Sequence, residues 1–168
     1  VRASAICPTA AAAWRSEEQR SFKIHVGSNA WFAALRALVD SEAGAYLGSR
    51  AGRIRMNGPD VALDPKAFST LALVVHEMMT NSAKYGALAD STGQVEIVWT
   101  IDRNDSLVID WKESGGPPVA EPTERGFGRR LIERGLARDL DGEARLLFEP
   151  EGVRFVLRAP LSKKLVLG

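Results

Sequence analysis

Cysteine occurs once in the 168 residues, at Cys7. That excludes an intrachain disulfide framework and a multi-cysteine zinc site, and it suits a reducing compartment. No charge of one sign prevails, since 22 Lys+Arg stand against 21 Asp+Glu for a net +1, which argues against a broad nucleic-acid or membrane-binding face. Nor does any apolar run approach the ~20 residues that span a bilayer. The opening VRASAICPTAAAAW lacks the continuous apolar core of a signal peptide. What is present is a chain 45% hydrophobic and 26% charged, long enough for one domain that buries roughly two-thirds of its extended surface. Composition therefore predicts a soluble, cytoplasmic domain. A first residue of Val rather than Met predicts a piece of something longer.

Residues 1–30 show little periodicity and are expected to be a connector or remnant, with the domain proper at 31–168. Trp31, Leu35, Leu38, Val39 and Tyr46 recur at spacings that predict an amphipathic helix, with Asn29 as its N-cap. Ile54 and Met56 alternate with Arg53, Arg55 and Asn57, which predicts a short strand closed by Gly58-Pro59. Asp64-Pro65 is a cap followed by proline at the first helical position, and that helix should end at Gly86. Alternation over Val95–Trp99 and Leu107–Trp111, around Asp102-Arg103-Asn104-Asp105, predicts a hairpin. A Gly/Pro-rich loop runs from Glu113 to about Phe127. A helix carrying Leu131, Ile132, Leu136 and Leu140 follows, stopping at Asp141-Gly142, and a second hairpin closes the pattern around Pro150-Glu151-Gly152. This order predicts an α+β fold with about three helices layered on one face of a mixed, mostly antiparallel sheet.

The helix from Pro65 places Phe68, Leu71, Val75, Met78, Met79 and Ser82 in a band about 100° wide, the expected core face. Opposite it, Glu77, Asn81 and Lys84 are spaced by four and three and project together within roughly 60°, flanked by Tyr85. Such a stripe can hold a hydrated cation and a polyphosphate. Asn offers a neutral oxygen ligand, Glu orients a metal-bound water or accepts a proton, and Lys supplies a point charge for phosphate oxygens. The same three residues also suit an ordinary solvated helix face. His76-Glu77 does not open a zinc protease motif, because Thr80 stands where the second His would be.

A second constellation is Trp111-Lys112-Glu113-Ser114-Gly115-Gly116-Pro117-Pro118. A carboxylate at the end of an apolar strand is held rigidly and can accept a hydrogen bond from an exocyclic amine such as that of adenine. Gly115 and Gly116 permit close backbone approach to a flat ligand. Gly126-Phe127-Gly128 at a helix start would leave N–H groups free for phosphate. The pattern completes neither a Walker loop nor the dinucleotide fingerprint, where Leu131 replaces the third glycine.

Taken jointly, His-Glu-x-x-x-Asn-x-x-Lys-Tyr-Gly, Trp-x-Glu-x-Gly-Gly-Pro-Pro and Gly-Phe-Gly resemble the HWE family of bacterial sensor histidine kinases over about Trp31 to Leu161. His76, Trp111 and Glu113 are the residues that would give that family its signature. The resemblance implies the two-layer, Bergerat-type ATP-binding fold of the GHKL superfamily, with ATP and Mg²⁺ as ligands. It implies that Asn81 ligates Mg²⁺, Glu77 assists at the metal-bound water or acts as base, Lys84 faces phosphate and Tyr85 lines the pocket. Glu113 would read adenine in place of the more usual Asp, with Gly115 and Gly116 bounding the base. Residues 114–125 would be a lid, and Gly126, Phe127 and Gly128 would approach the phosphates. Arg129 departs from the pattern, standing where a small hydroxyl residue is expected.

A histidine kinase needs an acceptor histidine, and neither His76, which belongs to the nucleotide motif, nor His25 has the surrounding box of one. The implied partners are therefore a histidine-bearing dimerisation domain, upstream or in trans, and a response-regulator receiver domain, without nucleic-acid or membrane contact. The reading that follows is a catalytic domain donating the γ-phosphoryl group of ATP to that histidine. The alternative is a silent adaptor of the same fold that docks a response regulator or kinase partner.

Overall fold

A computed structural model of the chain describes residues 23–25, 31–47, 52–119, 135–162 and 165–167. The largest element is a five-stranded mixed sheet. It contains β3 (Ile54–Asn57), β5 (Gln94–Ile101), β6 (Ser106–Ser114), β7 (Glu143–Glu149) and β8 (Gly152–Pro160), in the order β3-β5-β6-β8-β7. Only β3 and β5 run parallel; the other neighbours are antiparallel. Period-two alternation sets which face is buried. Val95, Ile97, Trp99, Leu107, Ile109, Trp111, Phe155, Leu157 and Ala159 point into the core, while Glu96, Thr100, Lys112 and Arg158 stay exposed on the other side.

Helices α1 (Leu35–Leu47), α2 (Pro65–Lys84) and α3 (Leu136–Leu140) share that core. The hairpin between β5 and β6 turns where predicted. Asp102 accepts the N–H groups of Asn104 and Ser106 at 2.8 and 3.1 Å, and Asp105 takes a left-handed φ of 51°. Asp141 ends α3 in the left-handed region at φ 53°. The predicted start of this helix, with Leu131 and Ile132, lies outside the described residues.

The segment from Trp31 folds differently from its periodicity. Trp31–Ala34 is a strand, β2, and the helix begins only at Leu35. Pairing overrides the helical spacing here: β2 lies between β1 (Lys23–His25) and β4 (Val61–Leu63) in a second, antiparallel four-stranded sheet completed by β9 (Leu165–Leu167). Asn29, the expected cap, lies outside the described residues. β4 is too short to alternate, and all three of its residues are buried.

α2 starts as its sequence dictates. Asp64 is the N-cap, accepting the Ala67 N–H at 2.7 Å, and Pro65 opens the first turn. Its buried face is Ala67, Leu71, Val74, Met78, Met79 and Ser82, so the true stripe is rotated slightly from expectation. Ala67 and Val74 replace Phe68 and Val75, which are only partly buried. Trp99 locks α1 and the β3–β4 turn to the sheet. Its indole donates to Pro59 O at 2.7 Å, and Arg36 lies 5.1 Å over the ring while donating to Gly58 O at 2.6 Å.

Candidate functional site

Contrary to the expected opposite face, Glu77, Asn81 and Lys84 run along one flank of the buried face of α2, with Asn81 seven residues on from buried Val74. Asn81 and Lys84 are exposed and Glu77 is half-buried. The helix ends at Lys84, and Tyr85, 74% exposed, caps it. Backbone bonds then turn the chain sharply: Asn81 O accepts the N–H groups of Tyr85 and Gly86 at 2.8 and 3.1 Å, and Gly86 N–H is shared with Ser82 O.

The helix stops just before Gly86, as expected, and Gly86 itself has φ −105°, outside the left-handed region. It is glycine because of what it touches. A Cβ there would fall inside the contact distance of the Glu113 carboxylate and within 3.0 Å of Ser82 Cα. Gly93 and Gly116 are similarly confined, each packed on the Ala87 backbone with no room for a side chain. The end of α2 and the end of β6 thus meet around residues 86 and 87.

Glu113 is the buried polar centre of this junction, 3% exposed. Its Oε2 accepts the Ala87 N–H at 2.8 Å and its Oε1 accepts the Trp111 indole N–H at 3.2 Å. Burial pushes the Glu113 carboxyl above the ordinary carboxylate range. The Ala87 N–H, the Trp111 indole and the Ser82 hydroxyl oppose that shift by hydrogen-bonding the ionised form. Gly115 follows with φ 68°, its carbonyl accepting from Thr92 Oγ1 at 3.0 Å. The structure therefore brings Glu113, Gly115 and Gly116 to the end of the helix that bears Glu77, Asn81, Lys84 and Tyr85. Gly126, Phe127, Gly128 and Arg129 lie outside the described residues, as does the second half of the expected lid, residues 120–125.

His76 occupies a different side of α2. Half-exposed at 49%, its Nδ1 pairs with Glu42 Oε2 of α1 at 3.0 Å. Through this contact it joins α1 and α2. Sequence reasoning missed the Ala87 backbone donor on Glu113, because it reaches the carboxylate only through the fold. The run Lys-Tyr-Gly-Ala was visible, but not that its glycine clears space for a distant carboxylate.

Among the described residues no group of three or more His, Cys, Asp or Glu could hold a metal ion. A divalent cation on the α2 stripe would therefore have one or two protein ligands, with phosphate and water as the rest. That is the habit of Mg²⁺ with nucleotides, and the donor set of Asn81 and Glu77 fits it. Among the same residues no helix is long and apolar enough to cross a membrane.

Comparison with known proteins defines the class. No family model matches the chain. A blue-light-activated histidine kinase of Brucella ovis is 35% identical over 121 residues, which are 70% of this chain and 25% of that protein. The chain thus spans about a quarter of the length of the curated relatives it matches. The histidine kinase domain of Erythrobacter litoralis EL346 blue-light activated histidine kinase superposes with a TM-score of 0.65 at 18% identity. That match covers 86% of this chain and 73% of the other. The catalytic domain of histidine kinase ThkA matches at a TM-score of 0.58 and 16% identity, over 77% of this chain and 96% of that one. A structure of ThkA in complex with the response regulator TrrA is also similar. Sequence and fold together place the chain among histidine kinase catalytic domains.

Proposed function

We propose that the chain is the ATP-binding catalytic domain of a two-component histidine kinase of HWE type, spanning 31–168. In this reading it transfers the γ-phosphoryl group of ATP to a histidine on another domain or chain. One observation carries this reading. The helix that carries half-buried Glu77 and exposed Asn81 and Lys84 runs into the turn whose Ala87 N–H holds buried Glu113, and this juxtaposition supports a phosphate-facing set next to a base-facing carboxylate.

In this reading Asn81 holds Mg²⁺, which when bound neutralises charge on the phosphates. Glu77 orients the reacting group or accepts its proton, and Lys84 binds phosphate oxygens. Tyr85 lines the nucleotide pocket, and Glu113 accepts the adenine amine between Gly115 and Gly116. Gly126, Phe127 and Gly128 supply backbone N–H groups to phosphate. Catalysis then rests on positioning and electrostatic stabilisation, because the chain's own residues make no covalent bond to the transferred group. The partners are a histidine-bearing dimerisation domain and a response-regulator receiver domain, in a cytoplasmic setting. The known complex of ThkA, a kinase of the same fold, with TrrA supports the second of these.

The test is ATP affinity with and without Mg²⁺, together with phosphoryl transfer to an added histidine-bearing acceptor domain. Asn81→Ala is expected to lose at least about ten-fold in Mg-ATP affinity, the scale of one lost charge-assisted contact. A chain that binds no ATP, or an Asn81→Ala variant with undiminished Mg-ATP affinity, overturns the proposal. Binding without any transfer would favour the adaptor instead.

A further inference from the structure

Trp111 and Glu113 stand two residues apart on β6 and therefore share the core face of the sheet. The indole, itself 2% exposed, is too buried to meet a nucleotide. It meets the carboxylate instead, Nε1–H donating to Oε1 at 3.2 Å while the Ala87 N–H holds Oε2 at 2.8 Å. A carboxylate offers about four acceptor positions, so the two hydrogen bonds from Trp111 and Ala87 leave others for a ligand.

Glutamate has one more torsion than aspartate, and its last torsion is broad and poorly confined. A lone glutamate at the end of a strand would spread its acceptor direction. Here the plane is pinned from two sides: by Ala87 from the turn and by Trp111 from the strand that carries Glu113. Gly86 and Gly152 pack directly on the Glu113 side chain or backbone, and Val95 pairs with it on β5. None of these neighbours is titratable.

We propose that Trp111 is the positioning residue of the base-reading site. Its indole N–H fixes the orientation of Glu113, and through it confers selectivity for a purine bearing an exocyclic amino group over one bearing a carbonyl there. The inference rests on Glu113 as the base reader, and the experiment separates the two.

The full chain and its Trp111→Phe variant, which keeps an aromatic ring but no donor, are compared for equilibrium binding of ATP and of inosine triphosphate across pH. Wild type is expected to prefer ATP. In Trp111→Phe the ATP preference should fall roughly ten-fold, the scale of one hydrogen bond to a charged group. The pH at which ATP affinity is lost should also move upward, because a carboxylate deprived of a donor titrates higher. Equal weakening of both nucleotides with an unmoved pH profile would mean that Trp111 is only core, and would overturn the proposal. A wild type that does not distinguish the two nucleotides removes the base-reading role of Glu113, and that of Trp111 with it. Should the variant fail to fold, the Trp111 indole N–H resonance of wild type decides. It should shift over the pH range in which ATP affinity is lost, and a resonance that ignores that range overturns the assignment.

Discussion

Replacing Gly86 by alanine tests the junction between α2 and β6 most directly. At φ −105° the backbone suits any residue, so conformational strain contributes nothing and the whole effect is collision. The new methyl group would overlap the Glu113 carboxylate and come within 3.0 Å of Ser82 Cα. Relief requires moving the carboxylate off the Ala87 N–H, now 2.8 Å away. A lost hydrogen bond to a charged group costs about 1.5–3 kcal/mol, and overpacking a tight site adds about 1–3 kcal/mol. The expected loss is therefore about 2.5–6 kcal/mol, or a fall in Tm of roughly 5–24 °C for a domain of this size. Gly115→Ala is the comparison. Gly115 has a left-handed φ of 68°, but its Cβ would meet nothing closer than 3.4 Å, so strain of about 1–2 kcal/mol is its full cost. Urea denaturation with matched m-values measures both. If Gly86→Ala loses less stability than Gly115→Ala, Glu113 is not held by the turn at Ala87, and the account of the site fails.

Asp64→Ala removes the N-cap of α2 and should cost about 1 kcal/mol in chemical denaturation, with nucleotide affinity little changed because the cap lies at the opposite end from Asn81. Asp139 on α3 accepts from Thr70 at 2.9 Å and pairs with Lys66 and Arg138. Hydrogen bonds from Arg138, Thr70 and Lys66 hold its carboxyl well below the usual range. Its contribution to stability is therefore present above the unfolded pKa near about 3.9 and is lost as pH falls through the folded value. The stability difference between wild type and Asp139→Asn should shrink on acidification, and a constant difference counts against these pairs. Glu113 has the opposite sign. Its folded pKa is raised, so stability declines as pH rises from the ordinary glutamate range through the raised value. Glu113→Gln should lack that decline in a pH series of melting curves.

Legibility followed the range of the interactions. The start of α2 was readable because Asp64, Pro65 and Ala67 are sequence neighbours, and the β5–β6 hairpin because Asp102 binds N–H groups two and four residues on. The helical spacing of Trp31 and Leu35 misled, because β2 pairs with β1, nearby in sequence, and with β4, whose register to Ala33 and Ala34 lies nearly thirty positions away. Three-residue strands such as β4 and β9 carry too few positions for alternation to announce them. For the site, spacing alone aligned Glu77, Asn81 and Lys84 on one helix face. It did not say which side of the helix His76 would find Glu42.

By itself the sequence determined the chemical repertoire: a Glu, Asn and Lys at helical spacing, a Trp-x-Glu pair on one strand face, and glycines where backbone must come close. Those follow from the fixed periods of helix and strand, which need no knowledge of what packs on them. Only the tertiary structure decided that Gly86 is small because of Glu113, 27 positions later, and that Ala87 and Trp111 share that one carboxylate. The physical reason is burial. A carboxylate taken out of water must be met by donors from wherever the fold brings them, and their identity is written in no local pattern.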